Sequence, residues 1–335
     1  MNNTYIIPLI NGWFRAIHAP NEEVARAAAE QYSIRSFSPC DVPYECYPYE
    51  ISLPSYIFTS IEKDAIIKSA LKKLNMSEDE IEMEMQDIYS YMYWNGYNEQ
   101  IQELANKALP EKWSFEGKDD NFILKNYLKY TFKKLQEEGK IIETDKYCIF
   151  DTGLFSQYYE PLYAYGEKNT NNVQKWYFKG FKDRYELGSY DIAEMPQRAD
   201  YFTDPSDLVF NWHLPVNKNY KHILDDLDTA QRLPDEIKCC KRPLDMLKGV
   251  IDTAIQRVTA NYKLAVPHYY QNKIQLLVPL YFGDDNIPDV ALVLDKKTRC
   301  YQATTCLSME MAYMDARLIA RPESNWLIAE NIISK

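Results

Sequence analysis

Glycine is scarce in this chain, with 10 in 335 residues. That excludes a collagen-like or fibrous protein, which needs glycine at every third position. No glycine-rich phosphate loop, no His-Glu-x-x-His and no Gly-x-Ser-x-Gly occurs, so the common nucleotide-loop, zincin and α/β-hydrolase signatures are missing. Histidine is rarer still: the four (His18, His213, His222, His268) are scattered without ligand spacing to one another or to cysteine. The seven cysteines are odd in number, Cys239 and Cys240 are adjacent, and no Cys-x-x-Cys occurs. They read as reduced thiols of a cytoplasmic protein, without a structural zinc site. No metal and no cofactor signature stands out.

An excess of positive charge is also lacking. Against 38 basic residues stand 49 acidic ones, a formal charge of −11. A chain this acidic is a poor general binder of polyanions, so any nucleic-acid contact has to come from a local basic face. The apolar stretch around Ile274 to Phe282 falls far short of the ~20 residues that span a bilayer. The start, Met1-Asn2-Asn3-Thr4-Tyr5, shows no basic segment followed by an apolar one. The expectation is a soluble, cytoplasmic chain without a membrane partner.

What is present is globular material. The chain is 46% hydrophobic and 26% charged, enough apolar content to offset chain entropy. Its length predicts two or three units. Residues 1–55 read as a small N-terminal α/β unit and a Pro-rich linker. Strands around Gly12 are followed by a helix opened by Pro20-Asn21-Glu22-Glu23, and Pro39, Pro43, Pro48 and Pro54 follow. Residues 56–155 read as a helical region. Within it, Ser77-Glu78-Asp79-Glu80 opens a helix over 78–87 that carries six acids and no base, a solvated face or a surface for a protein partner.

The clearest local pattern runs from 97 to 155. A helix spans 97–109, and a longer one runs from Asn121 to Glu138 and stops at Gly139. On the second, Leu124, Leu128, Thr131 and Leu135 form an apolar stripe, and Lys125, Lys129 and Lys133 form another about 130° away. A hairpin follows, Lys140 to Glu143 with Tyr147 to Phe150. Helix, helix, hairpin is the order of a winged helix, with exposed lysines facing a groove. The same order also suits an ordinary core unit with solvated lysines. Residues 156–335 read as an α+β domain. An amphipathic helix spans about 244–262, strands lie at Lys273 to Phe282, Val290 to Leu294 and Cys300 to Thr304, and a last helix runs from Ser308 to Ala320. The turn-rich linkers predict an antiparallel meander backed by helices. The fold class is therefore α+β.

Few residues propose chemistry. Asp151-Thr152-Gly153 matches the aspartic-protease tripeptide, but such an enzyme needs two carboxylates sharing a proton. A strand-to-turn role, with Gly153 in the turn, fits a lone copy better. Between Asn261 and Tyr270, Lys263, His268, Tyr269 and Tyr270 bring ammonium, imidazole and phenol groups together, a mix that can stack bases and hold phosphate or supply acid–base catalysis. Arg317 and Arg321 share a face of the last helix. They suit either the negative end of its dipole or a two-armed anion site.

Several blocks resemble one bacterial family, known as domain of unknown function 3825. They are Leu104 to Trp113, Leu124 to Phe132, Phe150-Asp151-Thr152-Gly153-Leu154, Ala199-Asp200-Tyr201-Phe202, Asn261 to Pro267, Leu276 to Leu280 and Met311 to Leu318, covering roughly 95–328. The family carries Asn where this chain has Asp151, so the resemblance implies no required carboxylate there. Its members occur beside cold-shock and LOTUS-type domains, which implies RNA by association. The leading expectation is an RNA- or nucleotide-binding protein. Lys125, Lys129, Lys263, Arg317 and Arg321 would contact phosphate, with Tyr269 or Tyr270 stacking. The rival is a hydrolase or transferase acting on a nucleotide or small phosphorylated metabolite through Lys263, His268 and the two arginines. A third is a protein-interaction module using the acidic helix. The residues name no reaction.

Overall fold

In the computed structural model, the described residues are 3–8, 14–19, 49–51, 88–118, 120–170, 174–192, 194–283, 287–329 and 332. Contacts group the chain into two units. The first comprises Met1–Gln100, Leu135–Thr152 and Glu160–Gln197, and the second Ile101–Lys134, Gly153–Tyr159 and Arg198–Lys335. The architecture is α+β with two five-stranded sheets and several helices.

In the first unit, β1 (Asn3–Pro8) pairs antiparallel with both β2 (Phe14–Ala19) and β3 (Tyr49–Ile51). The expected helix at 20–30 and the acidic helix at 78–87 lie outside the described residues. The larger sheet has the order β4-β8-β7-β6-β5. Its strands are β4 (Met92–Tyr93), β5 (Ile142–Glu143), β6 (Tyr147–Phe155), β7 (Pro161–Lys168) and β8 (Trp176–Lys182). Ile149, Tyr163, Tyr165, Leu187 and Ile192 form one of its cores. A short helix, Arg184–Gly188, follows β8. It starts in a capping box in which the Asp183 carboxylate accepts from the Glu186 N–H and the Glu186 carboxylate from the Asp183 N–H.

The hairpin after Gly139 is present, since β5 pairs with β6. It is not a free-standing wing, because β6 continues to Phe155 as an interior strand, buried from Cys148 to Leu154. The physical reason is its composition: the run Cys148-Ile149-Phe150 leaves no polar face to give to water. Asp151-Thr152-Gly153 is likewise strand, not turn. Thr152 donates to the Leu162 carbonyl at 2.6 Å. Gly153 has φ +75°, and a Cβ there would stand 2.3 Å from the Tyr127 hydroxyl. Glycine is thus required for a close approach inside the strand.

The second unit holds α1 (Tyr97–Lys107) and most of α2 (Phe122–Glu137). α2 ends in a Schellman arrangement around Gly139, which has φ +64°: the Gly139 N–H donates to Gln136 O and the Lys140 N–H to Leu135 O. Leu124, Leu128, Thr131 and Leu135 are buried as the periodicity predicts. Lys125, Lys129 and Lys133 are half-buried instead of exposed, and none is without a partner.

The other sheet, in the order β10-β11-β12-β13-β9, is the predicted three-stranded meander with two added strands, β10 and β9. Its members are β9 (Val216–Lys218), β10 (Val266–Tyr270), β11 (Lys273–Leu280), β12 (Val290–Lys296) and β13 (Tyr301–Ser308). β10 to β13 run antiparallel, and β9 adds parallel to β13. α3 (Pro243–Ala260) opens with proline at its first position, where no N–H is needed. Its Leu247, Ile251, Ala254 and Val258 pack in one core with Leu276, Val278 and Leu280 of β11. α4 (Met309–Ile319) is capped by Ser308, whose side chain accepts from the Met311 N–H. It packs against β10. No helix among the described residues is long and apolar enough to cross a membrane.

Candidate functional site

The β10–β11 connection is a two-residue hairpin. Tyr270 pairs with Lys273, and Gln271 and Asn272 between them have φ +46° and +60°. Two left-handed residues in succession define the type I′ turn that suits the twist of adjacent strands. Asparagine tolerates this region because its short side chain bonds locally, whereas glutamine gains no such compensation. The turn holds Asn272 at the lip of a cavity of about 390 Å³.

Five stretches of the second unit line that cavity. α2 contributes Lys134, and the irregular segment before residue 205 contributes Asp200, Tyr201, Phe202 and Thr203. β10 and its turn contribute Tyr269 and Asn272, followed by Lys273 and Ile274. The end of β12 contributes Asp295 and Lys296, and Asp207, bonded to Lys296, completes the lining. Asp207 sits on a 3-10 turn, Pro205–Leu208, whose start is fixed by the Asp204 carboxylate accepting from the Ser206 N–H at 2.8 Å.

Its aromatic wall is ordered by polar anchors. Tyr201 and Tyr269 meet edge to face, with centroids 4.8 Å apart and planes at 77°. The Tyr201 hydroxyl lies 3.0 Å from Thr131 Oγ1. The Tyr269 hydroxyl donates to Asn272 Oδ1. Lys134 Nζ donates to the same oxygen at 3.5 Å and stands 5.2 Å from the centre of the Tyr269 ring. Phe202 is left partly exposed.

The charges here nearly cancel, with three lysines against three aspartates. Lys296 donates to Asp207 at 2.8 Å, and that bond holds its ammonium above the usual lysine range. Asp295 accepts from Lys297 at 2.5 Å, and Asp200 is itself engaged. Lys273, exposed, makes no ion pair among the described residues. The cleft therefore offers stacking surface, one uncommitted cation and a set of carboxylates already paired. Among the described residues no group of His, Cys, Asp and Glu could hold a metal ion.

Of the residues singled out from sequence, Tyr269 lines this cleft, while Lys125, Lys129, Lys263, His268, Tyr270, Arg317 and Arg321 do not. Arg317 is buried and gives a two-armed bond to Glu111, Nε to Oε1 at 2.6 Å and Nη2 to Oε2 at 2.8 Å. Its guanidinium lies 4.8 Å from the Trp113 ring centre and 4.6 Å from that of Tyr127. Burial works against its charge, but the bonds and charge of Glu111 outweigh that and raise its pKa. Arg321 lies exposed beyond the helix, since Ala320 is already extended. The paired-arginine anion site is thus not formed: one arm is satisfied internally and the other is off the helix.

His268 is 1% exposed. Its Nδ1 stands 3.7 Å from Asp315 Oδ2, and neither ring nitrogen has a hydrogen-bond partner among the described residues. Lys263 is exposed on the turn Tyr262–Leu264, and Tyr270 is half exposed beside Gln271. Sequence reasoning missed Lys134, Asp200, Tyr201, Phe202, Asn272 and Lys273. The one advance signal was the Asp200-Tyr201-Phe202 run within a block shared with the resembled family.

Comparison with known proteins gives one family match. A family described as Domain of unknown function (DUF3825) matches residues 104–326, a span that contains every residue of the cleft. Searches of curated proteins and of solved structures found no match.

Proposed function

The chain belongs to the DUF3825 family, and we propose that it binds a nucleotide, free or as one unit of a single RNA strand, in the cleft around Tyr269. The observation that carries this reading is the pairing of aromatic rings with an uncommitted lysine in a cavity of about 390 Å³, within the ~300–1,000 Å³ usual for small-molecule sites. A base stacks on the faces of Tyr269 and Phe202, and Lys273 meets the phosphate. Tyr201, fixed through Thr131, keeps the Tyr269 ring in place. Stacking on tyrosine tolerates any base, so affinity comes from the rings and orientation from the polar rim. Near-cancellation of charge in the cleft supports one or two phosphate contacts and argues against a long phosphate track.

Titration with uridine monophosphate and with a short single-stranded oligouridylate tests this. Equal affinities identify a free nucleotide as the ligand, and much tighter oligomer binding identifies RNA. Tyr269→Ala is expected to weaken whichever ligand binds by about 10-fold, the effect of losing one stacked base. Failure of both ligands to bind, or unchanged affinity in Tyr269→Ala, overturns the reading.

A further inference from the structure

Asn272 is held in a way that decides which of its two amide ends faces a ligand. Its backbone is locked by the two-residue turn, with φ +60°. Its side-chain oxygen receives two donors at once, the Tyr269 hydroxyl and the Lys134 ammonium. The ammonium decides between the two orientations, since it has no lone pair, whereas the phenol could give or accept. The opposite orientation of the amide would set its NH₂ against an ammonium, so the oxygen-inward orientation is fixed by chemistry. The Nδ2 end, with two N–H groups, then has no partner among the described residues, and Asn272 is one of the residues lining the cleft.

Asp207 and Asp295 each carry one ammonium already, on Oδ1 from Lys296 and on Oδ2 from Lys297, and Asp200 is engaged as well. Asn272 Nδ2 and Lys273 Nζ are donors that no described residue engages. A base stacked on Tyr269 meets such a donor where its edge reaches Asn272. On the edge that carries uracil O4 or guanine O6 the keto bases present a carbonyl oxygen, where cytosine and adenine present the N4 or N6 amino group, which would face another donor.

We infer that Asn272 is a specificity-determining residue of the cleft, favouring keto bases, uracil and guanine, over amino bases. The inference rests on the nucleotide reading above and adds the identity of the base. Loss of a hydrogen bond that leaves a polar group unpaired in a bound complex discriminates by about 5–10-fold.

The test is competition among the monophosphates of uridine, guanosine, adenosine and cytidine, or the matching homopolymers if only strands bind. Wild-type protein is expected to prefer the two keto bases by about 5-fold. Asn272→Asp keeps a side chain that tolerates the left-handed region and still accepts from Tyr269, but it removes both N–H groups. Its added charge weakens all four ligands together, so the readout is the keto-to-amino ratio, which is expected to fall to 1 or below. Asn272→Gly, fully compatible with φ +60°, is the folding control and is expected to bind all four bases alike. Equal binding of the four bases by wild type, or an unchanged ratio in Asn272→Asp, overturns the inference and leaves nucleotide binding standing. Absence of binding by any nucleotide overturns both.

Discussion

Two places in the second unit set a cation against aromatic rings, and only the second also carries a neighbouring cation without an ion pair among the described residues. At Arg317 the guanidinium lies against Trp113 and Tyr127, and both its arms are taken by Glu111. Each side chain of that pair is 8% exposed. At the β10–β11 turn, Lys134 stands by the Tyr269 ring and Lys273 remains exposed without an ion pair among the described residues. The difference is commitment: a buried cation must be paired because its desolvation has to be offset, while a cation at a rim can stay available. Arginine's planar fork suits the first role, and the compact, mobile ammonium suits the second.

The sharpest way to break the comparison is at Glu111. Glu111→Ala leaves a buried guanidinium without its counter-charge, and a loss of about 3–5 kcal/mol in unfolding free energy is expected by denaturant titration. Replacing both partners, Glu111→Leu with Arg317→Met, is expected to recover most of it, because the cost lies in the orphaned charge. Binding at the cleft should be unaffected in whatever fraction stays folded. A Glu111→Ala protein as stable as wild type would mean that Arg317 finds water, and the contrast between the two places would dissolve.

Gly153 presses on the same buried site from the strand side. Gly153→Ala combines a φ of +75° with a Cβ 2.3 Å from the Tyr127 hydroxyl. About 2 kcal/mol or more of destabilisation is expected in thermal or chemical unfolding. Tyr127→Phe removes the obstructing oxygen, so the double variant should be less destabilised than the sum of the two single changes.

On the cleft side the expected effects are smaller and can be favourable. Gln271→Gly relieves a non-glycine residue at φ +46°, and a gain of about 1 kcal/mol is expected with nucleotide affinity unchanged. The smallest effect concerns Asp204, whose carboxyl is held below the ordinary range chiefly by accepting the Ser206 N–H. Its folded pKa is depressed, so its contribution is present above the unfolded value of ~4 and is lost as pH falls through the lower folded value. Asp204→Asn keeps an acceptor at the cap and removes the titration, so the acid limb of its melting-temperature profile should be flatter than that of wild type.

The contrast also explains what could be read in advance. α2, α3 and α4 were legible because apolar spacing and local caps mark them: Gly139 stops one, Pro243 opens the next and Ser308 caps the last. The meander was legible because turn residues separate β11, β12 and β13. β6 was harder, since Asp151-Thr152-Gly153 looks like a turn and its glycine serves a contact with Tyr127 from a segment 26 residues earlier in the chain. Arg317 and Arg321 share a helical spacing that fails only because the helix ends at Ile319. The cleft was least legible. Tyr269 could be picked out locally, but Lys134, Tyr201 and Lys296 meet it only through the packing of separate segments, and no periodicity encodes that.

The central claim is that the Tyr269 cleft takes one nucleotide with few phosphate contacts. The most direct measurement is the salt dependence of oligouridylate binding, run on wild type and Lys273→Glu. One or two contacts predict a slope of log affinity against log salt of about −0.7 to −1.4. In Lys273→Glu the slope should move toward zero as affinity drops. A slope of about −4 or steeper, equivalent to six or more phosphates, or a slope indifferent to Lys273→Glu, would contradict the account.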